Sequence, residues 1–280
     1  MASPSNFISP SALAASLGSP DLVVVDGSWY LPAQHRDAWA EYLAGHIPGA
    51  VFFDIDAIAD TASGLPHMLP KPDAFAAAMR MLGIGDRMHV VVYDGLGLFS
   101  AARVWWTLRT FGAQNVAILA GGLPAWKAEG RPLQDGLVAR RPREFTPRLD
   151  SSAVADLEIV RQALATGSAQ VVDARSADRF AGRAPEPRAG LCAGHMPGSL
   201  NLPYSKIVAE GRLQSPEALT EAFEGAGVDL DRPIITSCGS GVSAAILTVA
   251  LSEIGRSAGL YDGSWAEWGG RADTPVATDN

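Results

Sequence analysis

Hydrophobic positions along this chain follow two alternating spacings. The short runs Leu22-Val23-Val24-Val25-Asp26, 90–93, 116–119 and 234–237 are β-branched and apolar at nearly every place. Runs of this kind predict strands covered on both faces. Helical periods stand between them. Pro72-Asp73 opens a predicted helix over 74–82 that Gly83 can end, an amphipathic run over 99–111 stops at Gly112, and Ser215-Pro216 starts a further helix. Strand–helix alternation implies an α/β fold, a mostly parallel sheet flanked by helices. Ligands of such sheets bind at the carboxyl ends of the strands.

The pattern is written twice. Leu22-Val23-Val24-Val25-Asp26 matches Gln170-Val171-Val172-Asp173, and Gly45-His46-Ile47-Pro48-Gly49 matches Gly194-His195-Met196-Pro197-Gly198. Val90-Val91-Val92-Tyr93-Asp94-Gly95 matches residues 234–239, which sets Asp94 opposite Cys238; Gly121-Gly122-Leu123-Pro124-Ala125-Trp126 matches residues 263–268. Four blocks in one order at a nearly constant offset predict a duplicated domain. The expected division is 1–140 and 154–280 with a linker at 141–153. That linker lies in a stretch, 135–152, rich in Arg and Pro with little apolar periodicity.

Composition narrows the function. A chain of 280 residues has room for two ordinary domains, and 48% hydrophobic with 19% charged residues is a globular balance. The net charge of −8 argues against nucleic acid or an anionic membrane as general partner. No run reaches transmembrane length, and residues 1–11 lack a signal-peptide pattern, so the cytoplasm is the expected compartment. Cys192 and Cys238 are the only cysteines, which gives no disulfide framework. Cys192 reads as a packing residue.

The densest chemistry lies at residues 234–243. A strand ends in Cys238, Gly239-Ser240-Gly241-Val242-Ser243 follow, and an apolar helical run covers 244–251. A loop of this build curls its backbone N–H groups around a centre, Gly239 and Gly241 supplying the dihedral freedom. The helix start adds positive field, and a thiol in such a place is a nucleophile near neutral pH. Three other readings compete. A buried structural cysteine needs no pair of glycines. Gly239-x-Gly241-x-x-Ala244 with Asp262 fits a dinucleotide fingerprint, but too little chain follows Asp262 for that domain. A cysteine phosphatase loop would place an arginine where Ala244 stands. The repeated Gly-His-x-Pro-Gly blocks read as structural turns, with the His46 and His195 imidazoles bonded to backbone, rather than as a metal pair. Trp105, Trp106, Trp265 and Trp268 read as core or domain-interface residues. Asp94 in the cysteine's place makes the first half chemically silent, a wall of the site.

These residues resemble the two-domain rhodanese-type sulfurtransferases along nearly the whole chain. Residues 238–243 look like the C-G-S-G-V-T loop of the branch that uses 3-mercaptopyruvate, with Ser243 for Thr; thiosulfate-preferring members carry C-R-K-G-V-T, and Gly239 and Ser240 replace those cations here. The resemblance implies two tandem rhodanese-like domains, sulfur transfer through a Cys238 persulfide, and no metal or organic cofactor. It carries substrate binding to Arg179, in Asp178-Arg179-Phe180, and to Arg188, in Glu186-Pro187-Arg188. It carries an acid–base role to Asp56 and His67 beside Ser240, and implies thioredoxin or a small thiol as sulfur acceptor. A thiosulfate:cyanide sulfurtransferase and a non-catalytic persulfide carrier or binding module stay open as alternatives. The intact loop, the paired arginines and the Asp/His pair together favour an enzyme.

Overall fold

Two five-stranded parallel sheets of identical order form the frame of the computed structural model, which describes residues 5–279. Part of the stretch read for a targeting signal, residues 1–4, lies outside the described residues. The first sheet contains β1 (Phe7–Ile8), β2 (Leu22–Asp26), β3 (Val51–Phe52), β4 (His89–Tyr93) and β5 (Val116–Leu119), in the order β1-β5-β4-β2-β3. The second contains β6 (Val154–Ala155), β7 (Gln170–Asp173) and β8 (Leu200–Asn201). After a small hairpin, β9 (Val208–Ala209) and β10 (Arg212–Leu213), it adds β11 (Ile234–Ser237) and β12 (Gly259–Tyr261), in the order β6-β12-β11-β7-β8. The repeat seen in the sequence is thus a repeat of topology, with β4 and β11 central and pairing their neighbours in parallel.

The helices are α1 (Pro10–Ser16), α2 (Ala38–Ala44), α3 (Pro72–Leu82), α4 (Ala101–Thr110) and α5 (Gly122–Ala128) in the first half. In the second they are α6 (Leu157–Thr166), α7 (Ala177–Phe180), α8 (Pro216–Gly225), α9 (Ala244–Glu253) and α10 (Ser264–Trp268). Gly83 ends α3 in the left-handed conformation, φ +69°, and Ser215 caps α8 through its hydroxyl. In β2 the alternate side chains enter different cores: Val23 and Val25 pack toward α3 and α4, Leu22 and Val24 toward α1 and α5. Both faces are covered, which is why the strand reads as an unbroken apolar run.

The expected amphipathic helix near 99–111 differs in one respect. Nearly every residue of α4 is buried, because α9 of the other half covers the face that would otherwise meet water. α9 is buried from Ala244 through Leu251. One apolar core therefore runs through both halves, from Val23 and Val104 to Cys238, Val242 and Leu247. The stretch 135–152 crosses outside the first sheet: Phe145 inserts into the core against Phe75, and the backbone N–H of Arg148 donates to the Phe111 carbonyl. Among the described residues, no helix is long and apolar enough to cross a membrane.

Candidate active site

Cys238 follows β11 directly and is 2% exposed. Its carbonyl accepts from Trp265 N–H at 2.9 Å, and its own N–H donates to Ser264 Oγ at 3.2 Å, so α10 fixes the start of the loop. Gly241 stands at φ +77°, the left-handed conformation an L side chain rarely adopts. Among the described residues, the backbone N–H groups of 239–243 donate to no protein acceptor. Open backbone donors at the start of α9 are what an anion-binding loop requires.

The first half supplies the second wall. His67 reaches across the boundary with Nδ1 at 3.1 Å from Ser240 Oγ and 3.2 Å from Ser240 O, while Nε2 lies 3.0 Å from Asp56 Oδ1. With Nε2–H donating to the carboxylate, Nδ1 of the neutral ring accepts the Ser240 hydroxyl proton; the imidazolium donates there instead. The His67 hydrogen bond holds the Asp56 carboxyl below its ordinary value, against partial burial. Trp29 Nε1–H donates to Asp56 Oδ2 at 3.0 Å, and the Trp29 ring meets the imidazole edge-on with centroids 4.8 Å apart. His67 itself sits at φ +62°, unusual for a residue with a side chain.

The two arginines differ in their surroundings. Arg179, on α7, donates through Nε and Nη2 to Glu186, whose other contact is Arg175 Nη1 at 2.7 Å. Arg175 is buried against Asp173, at 2.7 Å, and lies over the Trp265 ring. Arg179 is thus braced, and its Nη2 comes within 3.1 Å of where a Cβ on residue 239 would stand. Glycine at 239 leaves room for that guanidinium beside the loop. Arg188 makes no ion pair or hydrogen bond among the described residues. Burial lowers its pKa, while electrostatic attraction toward Cys238 and Asp56 opposes that shift. A half-buried cation with no partner among the described residues, within the field of Cys238, suits an anionic ligand.

His67 and Asp56 approach the loop at Ser240, Arg179 approaches it at Gly239, and Arg188 lies in the field of Cys238 and Asp56. Four further contributors, Trp29, Arg103, Arg175 and Glu186, carry no local sequence pattern that points to the site. Asp262, noted only as a possible ribose acid, pairs with Arg103 at 2.6 Å and accepts Leu69 N–H at 2.7 Å. The one usable signal was a charged Arg103 within the apolar run 99–111. His46 and His195 bond to the carbonyls of Tyr42 and Phe180 at 2.8 and 2.9 Å and stack on those rings. Trp105, Trp106, Trp265 and Trp268 are buried. Cys192 is corrected: it is exposed, because its backbone, bonded to Gly269 O and Trp265 Nε1, anchors the loop while its side chain is left at the surface.

The rhodanese-like domain model matches residues 9–129 and 156–271. The 3-mercaptopyruvate sulfurtransferase of Escherichia coli strain K12 is 47% identical over 272 residues, covering 96% of this chain and 97% of that protein. The thiosulfate sulfurtransferase of Bos taurus is 42% identical over 271 residues, covering 95% and 91%. The crystal structure of the Escherichia coli 3-mercaptopyruvate sulfotransferase SseA has a TM-score of 0.87 at 44% identity, covering 94% of this chain and 99% of that one. With two matched copies spanning most of its length, this chain belongs to the rhodanese-like domain family.

Proposed function

We propose that this chain is a sulfurtransferase that takes the sulfur of 3-mercaptopyruvate onto Cys238 and passes it to a thiol. The observation that carries the reading is the Asp56–His67–Ser240 line converging from the first half on an anion cradle in the second. A carrier or docking module needs a cysteine and a surface; it has no use for a proton relay aimed at the loop.

The donor's carboxylate binds Arg188 and the free N–H groups of Arg179, which suits the fork geometry of guanidinium. The Cys238 thiolate attacks the donor's sulfur, and the carbon–sulfur bond breaks with its electron pair going to carbon. The resulting pyruvate enolate takes a proton from Ser240 Oγ, resupplied by the His67 imidazolium that Asp56 stabilises, and the proton the donor's thiol gives up as its sulfur becomes anionic returns to His67. The outer sulfur stays on Cys238 as a persulfide anion facing the loop amides, splitting transfer into two steps. A thiol such as thioredoxin or a small thiol then attacks that sulfur and leaves with it, restoring the Cys238 thiolate. Loop positions 239 and 240 carry no cation, which disfavours doubly charged thiosulfate as donor relative to a carboxylate bound outside the loop.

Incubation with 3-mercaptopyruvate in the absence of acceptor tests the reading. The expected result is one pyruvate released per chain and a mass gain of one sulfur atom on the peptide containing Cys238, absent in Cys238→Ala. Labelling elsewhere, or turnover in the Cys238→Ala chain, overturns it; a larger yield from thiosulfate moves the assignment to that donor.

A further inference from the structure

The least expected feature near the site is a guanidinium with no route to solvent. Arg103 projects from α4 with a side chain 2% exposed, and its Asp262 partner is 5% exposed. The arginine bridges three segments. It donates to Asp262 Oδ1 at 2.6 Å, to the His67 carbonyl and, at 3.4 Å, to the Gly241 carbonyl, while its plane lies 4.5 Å over the Trp106 ring. Asp262 completes the clip by accepting Leu69 N–H at 2.7 Å. The strap bearing His67 is therefore gripped at the carbonyl of 67 by one partner and at the N–H of 69 by the other.

Two features of the backbone fit this grip. His67 holds a left-handed φ of +62°, a conformation that persists only where surroundings over-determine it. A Cβ at residue 241 would stand 2.5 Å from Arg103 Nη1, so glycine there is what lets the guanidinium reach the cysteine loop.

We propose that the buried Arg103–Asp262 pair is a positioning device that holds the His67 strap and the Cys238 loop in register across the two halves. Neither residue is assigned to substrate. The proposal rests on the reading in which His67 and Ser240 move a proton, since its effect passes through their contact. Domain adhesion alone would act differently. Asn6, bonded through its N–H and Nδ2 to Glu253 Oε1 at 2.7 Å, also joins the halves but lies on a different part of the interface. Glu253→Ala therefore measures loss of adhesion without loss of register.

The test is steady-state kinetics with 3-mercaptopyruvate on Arg103→Met, Asp262→Asn, His67→Ala, Glu253→Ala and the Arg103→Met/His67→Ala double variant, each with a thermal melt. Displacing a proton-transfer group without touching the donor's binding groups is expected to lower kcat about 100-fold with KM within about 3-fold. In the His67→Ala background, Arg103→Met is expected to cost less than about 3-fold more, because both act on one contact. Glu253→Ala is expected to lower the melting temperature and leave kcat intact. The proposal is overturned if Asp262→Asn and Arg103→Met keep wild-type kcat, if KM rises in step with its fall, or if the two losses multiply in the double variant. Should Arg103→Met fail to fold, the nearly isosteric Asp262→Asn decides. A His67→Ala chain with full kcat would instead refute the relay itself, whatever Arg103 does.

Discussion

Asp94 occupies in the first half the place that Cys238 occupies in the second, and its carboxylate fills the cradle left open around the sulfur. Each follows the central strand of its sheet. The Asp94 carbonyl accepts Leu123 N–H at 3.0 Å, just as the Cys238 carbonyl accepts Trp265 N–H at 2.9 Å. Asp94 Oδ1 accepts from Leu96 N–H at 2.9 Å, and Oδ2 from Phe99 and Ala101 N–H at 2.7 and 2.8 Å. Burial raises the Asp94 pKa, and these amides oppose the rise. The carboxylate oxygens are two bonds from Cβ, as the outer sulfur of a cysteine persulfide is. The first half thus offers to a carboxyl group the backbone donors that the second half is proposed to offer to a persulfide once per cycle.

That equivalence predicts the behaviour of two inactive variants. Cys238→Asp places a carboxylate within reach of unclaimed amides and near Arg188, and hydrogen bonds to a charged group stabilise by roughly 1.5–3 kcal/mol each before the cost of burial. Cys238→Asp is therefore expected to melt above Cys238→Ala at neutral pH, and both to lack sulfur transfer. Equal or lower melting of the aspartate variant would show that the loop around Cys238 does not cradle an anion.

A second buried acid gives a pH dependence. Asp26, 2% exposed, has its pKa raised to about 6, mainly by burial, against hydrogen bonds from Ser28 and Tyr93. The folded chain therefore holds this proton more tightly than the unfolded one. The stability it contributes is full below the unfolded value near 4 and is lost as pH rises through about 6, an effect of about 3 kcal/mol. Asp26→Asn keeps an oxygen for Ser28 N–H, bonded at 2.9 Å, and removes the titration. Relative to the parent chain, the variant should gain stability in urea melts between pH 4 and pH 8 (taken as roughly the limits of this titration). A constant difference across that span would place the proton elsewhere.

The arginines predict donor selection. Among the described residues Arg188 has no hydrogen-bond or ion-pair partner to lose, so Arg188→Ala removes the proposed donor contact without stranding a buried carboxylate. The KM for 3-mercaptopyruvate is expected to rise roughly 10- to 100-fold, with thiosulfate turnover less affected, because thiosulfate offers no carboxylate to that fork. Arg179→Ala should in addition lower the melting temperature, since Glu186, with a side chain 2% exposed, would lose one of its two cationic partners. Equal changes for both donors in Arg188→Ala would remove it from donor selection.

Local pattern was enough for the longer inner strands and the duplication, since each is written in residues adjacent in the chain, whereas two-residue strands such as β1, β3, β6 and β8 are too short to carry such a run. The run from Leu22 to Asp26 announces a doubly covered strand, and the glycines after Cys238 announce the break between β11 and α9. What joins the halves was legible only in three dimensions. Arg103 and Asp262 are 159 residues apart, and neither carries a local pattern that names the other. The helical period over 99–111 implied a wet face because nothing in that run indicates that α9 will cover it. Cys192 misled for the converse reason: cysteine is usually packed, but here the contacts belong to its backbone.

The relay yields the final prediction. Asp56 is held ionised chiefly by its hydrogen bond with His67, so its carboxyl titrates below the ordinary value near 4 and stays charged throughout the neutral range. By sign, whatever it contributes is present above that value and fades only as pH falls through its depressed pKa. Asp56→Asn preserves the shape and the Trp29 contact but cannot stabilise an imidazolium with charge. With general acid–base transfer worth about 100-fold or more, kcat should fall by that order at every pH from about 5 to 9, with little change in donor KM. Single-turnover release of pyruvate is the measurement, since it isolates the first step from attack by the thiol. A variant whose loss appears only in multiple turnover would assign Asp56 to the acceptor step instead.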